Sequence, residues 1–169
     1  MINIKIFIVL FASLFLICCE KEKELPPNPN YQPSGLNYSQ VVVVQINDIT
    51  NSDGNIQTVL YNNSATWNAD MDSHLSENMY SFIETPANLG SIIVKFDSIP
   101  VGNYAISLLQ DENSNGYMDM GGFLNLFPQE PYGFSNNIVP SASAPSFNEC
   151  SFSINETDSL FLEINLIQP

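Results

Sequence analysis

From Tyr38 to the C-terminus, apolar residues recur with a period of two or as short runs broken by turn residues. No stretch holds the three-and-four spacing of an amphipathic helix. Val41-Val42-Val43-Val44-Gln45-Ile46 is a β-branched run, Asn51-Ser52-Asp53-Gly54 is a turn with a glycine free to take positive φ, and Ile56-Gln57-Thr58-Val59-Leu60-Tyr61 resumes the apolar pattern. The two runs are expected to pair as a hairpin. Further strands are predicted from Met79 to Ile83, Ser91 to Phe96, Asn103 to Leu109, Phe147 to Ile154 and Leu160 to Leu166. In the last, Leu160, Leu162, Ile164 and Leu166 share one face and Phe161, Glu163 and Asn165 the other, so the first set is expected in the core. About seven short strands cannot bury both apolar faces as one flat sheet, which predicts an all-β fold, an antiparallel β-sandwich.

Two connections are long. Asn62 to Asn78 holds Trp67 and the single histidine, His74, while Met120 to Ser146 holds Phe123, Phe127, Tyr132 and Phe134. Loops of this length in a compact domain are commonly functional or disordered, and aromatic side chains argue against disorder. The rings are expected to plug an open end of the sandwich. Cys150 alternates with Phe152 and Ile154, which predicts a buried thiol on a strand face.

The N-terminus reads as an address. The apolar run from Ile6 to Ile17 is twelve residues, short of the roughly 20 that a spanning helix needs but suited to a secretory signal core. Leu16-Ile17-Cys18-Cys19 resembles the lipobox of bacterial lipoproteins, which implies a signal peptide over residues 1–18 and a diacylglycerol on Cys19. Residues 19–35 combine Glu20-Lys21-Glu22-Lys23-Glu24 with Pro26, Pro27, Pro29 and Pro33, the composition of an extended tether, and the sandwich is assigned to 36–169. The acidic stretch resembles the surface-export signals of Bacteroidetes lipoproteins. The expected location is the bacterial cell envelope, as an outer-membrane lipoprotein whose membrane contact is the N-terminal lipid.

Composition narrows the partners. With 44% hydrophobic and 13% charged residues the chain is too apolar to be disordered. Eighteen Asp and Glu face four lysines and no arginine, a net charge of -14. Such a chain has almost no cations with which to displace the counterions of nucleic acid, whereas an acidic surface gathers cations.

One constellation carries chemistry. Asp111-Glu112-Asn113-Ser114-Asn115-Gly116-Tyr117-Met118-Asp119 places side-chain oxygens at positions 1, 3, 5 and 9 and a glycine at 6. That is the ligand spacing of a calcium loop, because a hard cation needs six to eight oxygens and alternate residues turn theirs inward. Tyr117 would give its backbone carbonyl. Gly122 stands at position 12, where an EF-hand has glutamate, and the preceding segment reads as a strand, so this is not an EF-hand. Asp111, Asn113, Asn115, Tyr117 and Asp119 are the candidate ligands, with Glu130 as a further oxygen donor and Ca2+ as the ion. The same residue types also make side-chain-to-backbone turns that require no ion. A zinc site lacks a second histidine and a cysteine pair. Asp111 and Glu130 could alternatively serve as the acid and base of a hydrolase acting on cell-surface glycans; no residue is assigned as catalytic.

Asp97-Ser98-Ile99-Pro100-Val101-Gly102-Asn103-Tyr104-Ala105, the Asp111 to Asp119 loop, Pro128-Gln129-Glu130-Pro131-Tyr132-Gly133-Phe134-Ser135-Asn136-Asn137 and Pro145-Ser146-Phe147 follow one another in an order and spacing that resembles the bacterial family called domain of unknown function 2141. The resemblance covers about Val41 to the C-terminus and departs at Val101, where a second proline is commoner. It implies a small prealbumin-like or immunoglobulin-like sandwich, exported, with no established activity. The Glu130 to Asn136 segment is expected to fold back beside the acidic loop and stiffen it. The reading that accommodates these features is a non-catalytic, lipid-anchored module that binds calcium structurally and meets a protein or glycan partner.

Overall fold

The computed structural model describes residues 40–73, 79–141, 143–155 and 159–169. The predicted signal peptide, Cys19, the tether and His74 lie outside the described residues. The strands are β1 (Gln40–Ile49), β2 (Asn55–Tyr61), β3 (Ser81–Pro86), β4 (Gly90–Ile99), β5 (Gly102–Asp111), β6 (Met120–Gly121), β7 (Phe127–Pro128), β8 (Tyr132–Phe134), β9 (Phe152–Ile154) and β10 (Leu160–Asn165). Among the described residues two α-helices are interposed, α1 (Ser64–Ser73) and α2 (Phe147–Cys150). One sheet has the order β10-β1-β4, a second has β3-β2-β5-β8 with β9 also on β5, and β6 with β7 forms a separate ribbon.

The core follows from alternation. Val42, Val44 and Ile46 of β1, Val94 and Phe96 of β4 and Ile164 of β10 face Ile56 and Leu60 of β2 and Ile106 and Leu108 of β5, giving the layer between two sheets. In the second sheet the opposite faces of β2 and β5 are buried as well. Val59, Tyr61 and Ala105 pack there under Trp67, Phe134, Phe147 and Cys150. The domain is a sandwich whose second sheet carries an additional cover.

That cover departs from expectation in two ways. The Asn62 to Asn78 connection contains α1, which begins where the Asn63 side chain accepts the backbone N–H of Thr66 at 3.0 Å. Its buried side is Trp67 and Asp70, with Asp70 accepting the Tyr61 hydroxyl at 3.0 Å, and a carboxylate in the buried row hides the helical period from a hydrophobicity pattern. The Trp67 indole donates to the Pro145 carbonyl at 2.8 Å and stacks edge-on to Tyr61, so it roofs a sheet face and does not plug the end of the sandwich. The predicted strand from Phe147 likewise opens as α2, because Ser146 and Glu149 form a reciprocal capping box, and only Phe152–Ile154 is strand. Cys150 is fully buried at the end of α2, and burial together with the Glu149 charge pushes its thiol up to about 12.

The expected β1–β2 hairpin does not form. β1 pairs with β4 and β10, β2 with β3 and β5, and the Asn51–Gly54 turn crosses between layers. Both runs point their apolar faces into the same interlayer core, which strands of opposite sheets can do; the crossing is prepared by a register shift after Ile46 and left-handed Asp48 at φ 61°. The β1–β10 pair is parallel, an exception to the otherwise antiparallel pairing of the described strands.

The Pro100 to Tyr104 turn and the Glu130 to Asn137 segment fasten these layers. The Tyr104 hydroxyl donates to the Pro100 carbonyl at 3.0 Å, tying down the β4–β5 turn. In β8, a Cβ on Gly133 would lie 3.0 Å from the Asn165 carbonyl of β10, so the missing side chain allows the two sheet edges to approach. β5 pairs with β9 up to Tyr104 and with β8 from Ser107, and between them the Ser135 hydroxyl accepts the Ile106 N–H at 2.9 Å and donates to the Cys150 carbonyl at 2.6 Å. Asn136 and Asn137 take left-handed φ of 63° and 52°. Asn136 donates to the Glu149 and Ser151 carbonyls, and Asn137 clamps Glu163 and Asn165 of β10.

Ser135→Ala strands a buried N–H and a buried carbonyl together and is expected to cost about 2–3 kcal/mol, whereas Tyr104→Phe, losing one bond at a turn, is expected to cost about 1 kcal/mol. Urea denaturation of the two variants beside wild type measures both, and the ranking reverses if the Ser135 bridge is dispensable.

Candidate functional site

β5 ends at Asp111 and runs directly into the acidic loop. Asp111 is 1% exposed. Its Oδ1 accepts the Asn115 N–H at 3.0 Å, and its Oδ2 accepts the Gly116 N–H at 2.8 Å and the Gln57 side-chain amide at 3.2 Å. The Asn113 and Asn115 side-chain oxygens accept the N–H groups of Asn115 and Tyr117, each two residues on, which is the Asx-turn habit that winds the chain. The winding passes through left-handed Ser114 (φ 58°) and Gly116 (φ 92°), and Gly116 meets the turn without steric cost. The Asn113 and Asn115 amides then both donate to the Asp119 carboxylate, the second at 3.0 Å. The structure thus gathers Asp111, Asn113, Asn115 and Asp119 into one turn. Tyr117 directs its ring to solvent, leaving its carbonyl as the part relevant to an ion.

Glu130 is brought against the same loop from the other side. It is 3% exposed, and its Oε1 accepts the Glu112 N–H at 2.9 Å while its Oε2 accepts the Asp119 N–H at 3.0 Å. The next residue, Pro131, accepts the Gln110 N–H through its carbonyl, so the segment leading into β8 is laid along the end of β5. The fold-back of this segment onto the loop is therefore made chiefly by one carboxylate that bridges both ends of the turn.

Among the described residues the site has no counter-charge. Burial pushes the Glu130 carboxyl above its ordinary value, the N–H groups of Asp119 and Glu112 pull it back, and the charges of Asp119 and Asp111 push it up again. Lys95, the only lysine among the described residues, pairs with Asp97 at 2.9 Å on β4. Among the described residues no group of three or more His, Cys, Asp or Glu side chains sits close enough to hold a metal by themselves. Any ion here relies on the two asparagines and a main-chain carbonyl, an all-oxygen set that suits calcium and not a transition metal.

Three supports were not foreseen from sequence. Gln57 reaches Asp111 from β2; Asn51 donates to Glu112 at 2.7 Å and accepts from Gln110 at 2.7 Å; and Gly54 (φ 62°) sits so close that a Cβ there would lie 1.8 Å from the Asp111 carbonyl oxygen. Gln57 and Gln110 are polar residues inside otherwise buried runs, and that break in pattern is the signal that marks them.

Two facing sheets, a helical roof over the second and an oxygen-rich turn closing its central strand define a β-sandwich domain with a built acidic loop. The chain belongs to the bacterial family described as "Uncharacterized protein conserved in bacteria (DUF2141)", which matches residues 44–160 and so takes in the whole loop and the Glu130 to Asn137 segment. No curated protein and no solved structure matches the chain.

Because the apo fold raises the Glu130 pKa, ionisation works against it. The stability tied to the neutral carboxyl is complete below the ordinary value of 4.5 and is lost as pH rises through the raised value. Glu130→Gln keeps one accepting oxygen but turns an amide NH2 toward the other backbone N–H, so in calcium-free buffer at neutral pH it is expected to cost about 1 kcal/mol, while Glu130→Ala, which leaves both the Glu112 and Asp119 N–H groups without an acceptor, costs about 2–3 kcal/mol. Chemical denaturation between pH 4 and 7 in chelator checks both the order and the flatter profile of the glutamine variant.

Proposed function

We propose that the protein is a non-catalytic module of the bacterial cell envelope, exported and held by a lipid on Cys19, whose Asp111–Asp119 loop takes a calcium ion as a brace. The carrying observation is the convergence of Asn113 and Asn115 on the Asp119 carboxylate beside buried Asp111. An ion entering that point replaces the amide donors by rotating the same side chains to present oxygen, and it supplies the positive charge that Asp111, Asp119 and Glu130 otherwise lack. With no bidentate glutamate at the twelfth position, the affinity falls in the extracellular range of about 0.1–1 mM.

The hydrolase reading is disfavoured by the same geometry. Asp111 and Glu130 are 1% and 3% exposed, and all four carboxylate oxygens accept N–H groups, whereas a general acid or base must reach the substrate proton. At the other end of β5, a shallow cleft of about 430 Å³ lined by Asn62, Tyr80, Val101, Asn103 and Tyr104 has the size of a small-ligand site and is the surface we assign to a protein or glycan partner.

Isothermal titration of calcium into the mature chain is expected to give one site in the range of ~0.1–1 mM, lost in Asp119→Ala and weakened in Asn113→Ala, with wild-type stability rising by about 2 kcal/mol at 10 mM calcium. Absence of heat and of a melting shift for wild type at that concentration refutes the calcium brace. Separately, metabolic labelling with radioactive palmitate is expected to mark the wild-type chain and not Cys19→Ala.

A further inference from the structure

The ribbon of β6 and β7 leaves the acidic loop at Met120 and returns at Gln129, and its tip is apolar and uncovered. Phe123, Leu124, Leu126 and Phe127 are 78%, 72%, 63% and 58% exposed. The Phe123 and Phe127 rings do not plug the sandwich as the sequence suggested. Residues 120–129 contain no charge, in a chain of net charge -14, and both flanking residues are carboxylates, Asp119 and Glu130. Four large apolar side chains on one fingertip form a patch of the kind that marks an interaction site.

The tip is also built at a conformational cost. Leu124 and Asn125 are consecutive left-handed residues, at φ 59° and 53°. The same pair of left-handed positions recurs at Asn136 and Asn137, where the chain uses asparagine twice, the residue that tolerates this backbone. At the fingertip it places a leucine there instead, and Leu124 gains no burial in return. An apolar side chain is thus held in a strained position where only an external partner benefits from it.

We infer that this finger inserts into the interfacial region of a lipid bilayer. Three observations favour lipid over a protein groove. The side chains are Phe and Leu, the kind that enters the headgroup and acyl boundary. The finger satisfies much of its own backbone: Met120 pairs with Pro128 and Gly121 with Phe127, the Asn125 N–H meets the Gly122 carbonyl, and the Gln129 amide donates to the Phe127 and Pro128 carbonyls. Internal satisfaction is what an apolar medium demands of a backbone. Finally, the roughly 20 residues between Cys19 and Gln40 reach at most about 70 Å, against a radius of gyration of about 14 Å for a domain of this size, so the anchor leaves any face of the domain within range of the bilayer. The bilayer's nearness rests on the lipid-anchor reading; the finger's own affinity does not. The carboxylates at its base direct it toward zwitterionic lipid.

The test attaches an environment-sensitive fluorophore to Leu124→Cys, and in a control to Leu89→Cys, in the mature full-length chain with vesicles of phosphatidylethanolamine and phosphatidylcholine, with Cys19→Ser added in the unacylated arm so that its thiol takes no label; Cys150 is buried and unlabelled. The expected result is a blue shift at position 124, quenched by spin labels about 5–10 Å below the surface, with no change at position 89. Intact mass on the same sample reports whether Cys19 is acylated, so failure of the anchor is read apart from failure of the finger. Unacylated chain is assayed at millimolar lipid, where position 124 still shifts. Leu124→Asn should raise the urea midpoint while lowering vesicle partition of unacylated chain, and replacing half the lipid with phosphatidylglycerol should weaken insertion. The inference is overturned if positions 124 and 89 respond alike, if Leu124→Asn leaves partition unchanged, or if the blue shift arises without vesicles and grows with protein concentration, which assigns the finger to a second copy.

Discussion

β5 has almost no surface to give away, and the rest of the domain is arranged around that constraint. From Tyr104 to Asp111 every residue is buried, since one face meets the β1 sheet and the other meets the helical roof. A strand buried on both faces needs every backbone group answered; β2 answers one edge, and three successive partners answer the other: β9 at the start, the Ser135 hydroxyl in the middle and β8 beyond. The roof of Trp67, Phe147 and Cys150 exists because a two-layer sandwich would leave Val59, Tyr61 and Ala105 in water.

The acidic loop inherits its rigidity from this arrangement. Asp111 is the last residue of the buried strand, so the first carboxylate of the loop is held by Gln57 and by the close approach of Gly54 before the loop begins. Glu130 then holds the first and last parts of the loop at once, and it does so from the segment that continues into β8. Loop, finger and β8 are consecutive in the chain and share these few bonds, which links any change in charge at the loop to the base of the apolar ribbon.

Much of the sheet architecture was legible because alternation reports burial directly. Leu160, Leu162 and Ile164 fall on the inward side of β10, with Leu166 following just past its end, and Val42, Val44 and Ile46 on that of β1. What alternation cannot report is which strands pair. β1 and β2 read as a hairpin because each has a clean apolar face joined by a glycine turn, yet both faces point into one shared core from opposite layers. Helix α1 escaped because Asp70 occupies its buried row, bonded to Tyr61, and the α2 turn was hidden by the strand-like alternation of Cys150, Phe152 and Ile154, ahead of which the capping box of Ser146 with Glu149 winds the chain. The acidic loop was legible in residue type and spacing, since Asx turns are local. Its supports from Gln57, Asn51 and Gly54 come from residues more than fifty positions away and depend on the pairing of β2 with β5.

The parallel register of β1 with β10 has a mechanical meaning. Val42 lies beside Leu160 and Asn47 beside Asn165, so the entry of the first strand and the exit of the last are at opposite ends of one ladder. Tension applied between the two ends of the domain would load those hydrogen bonds in shear, all together, where a hairpin would unzip them singly. A domain stretched between these two ends would on this account yield slowly, its lifetime under force set by the unfolding barrier of that one pair of strands.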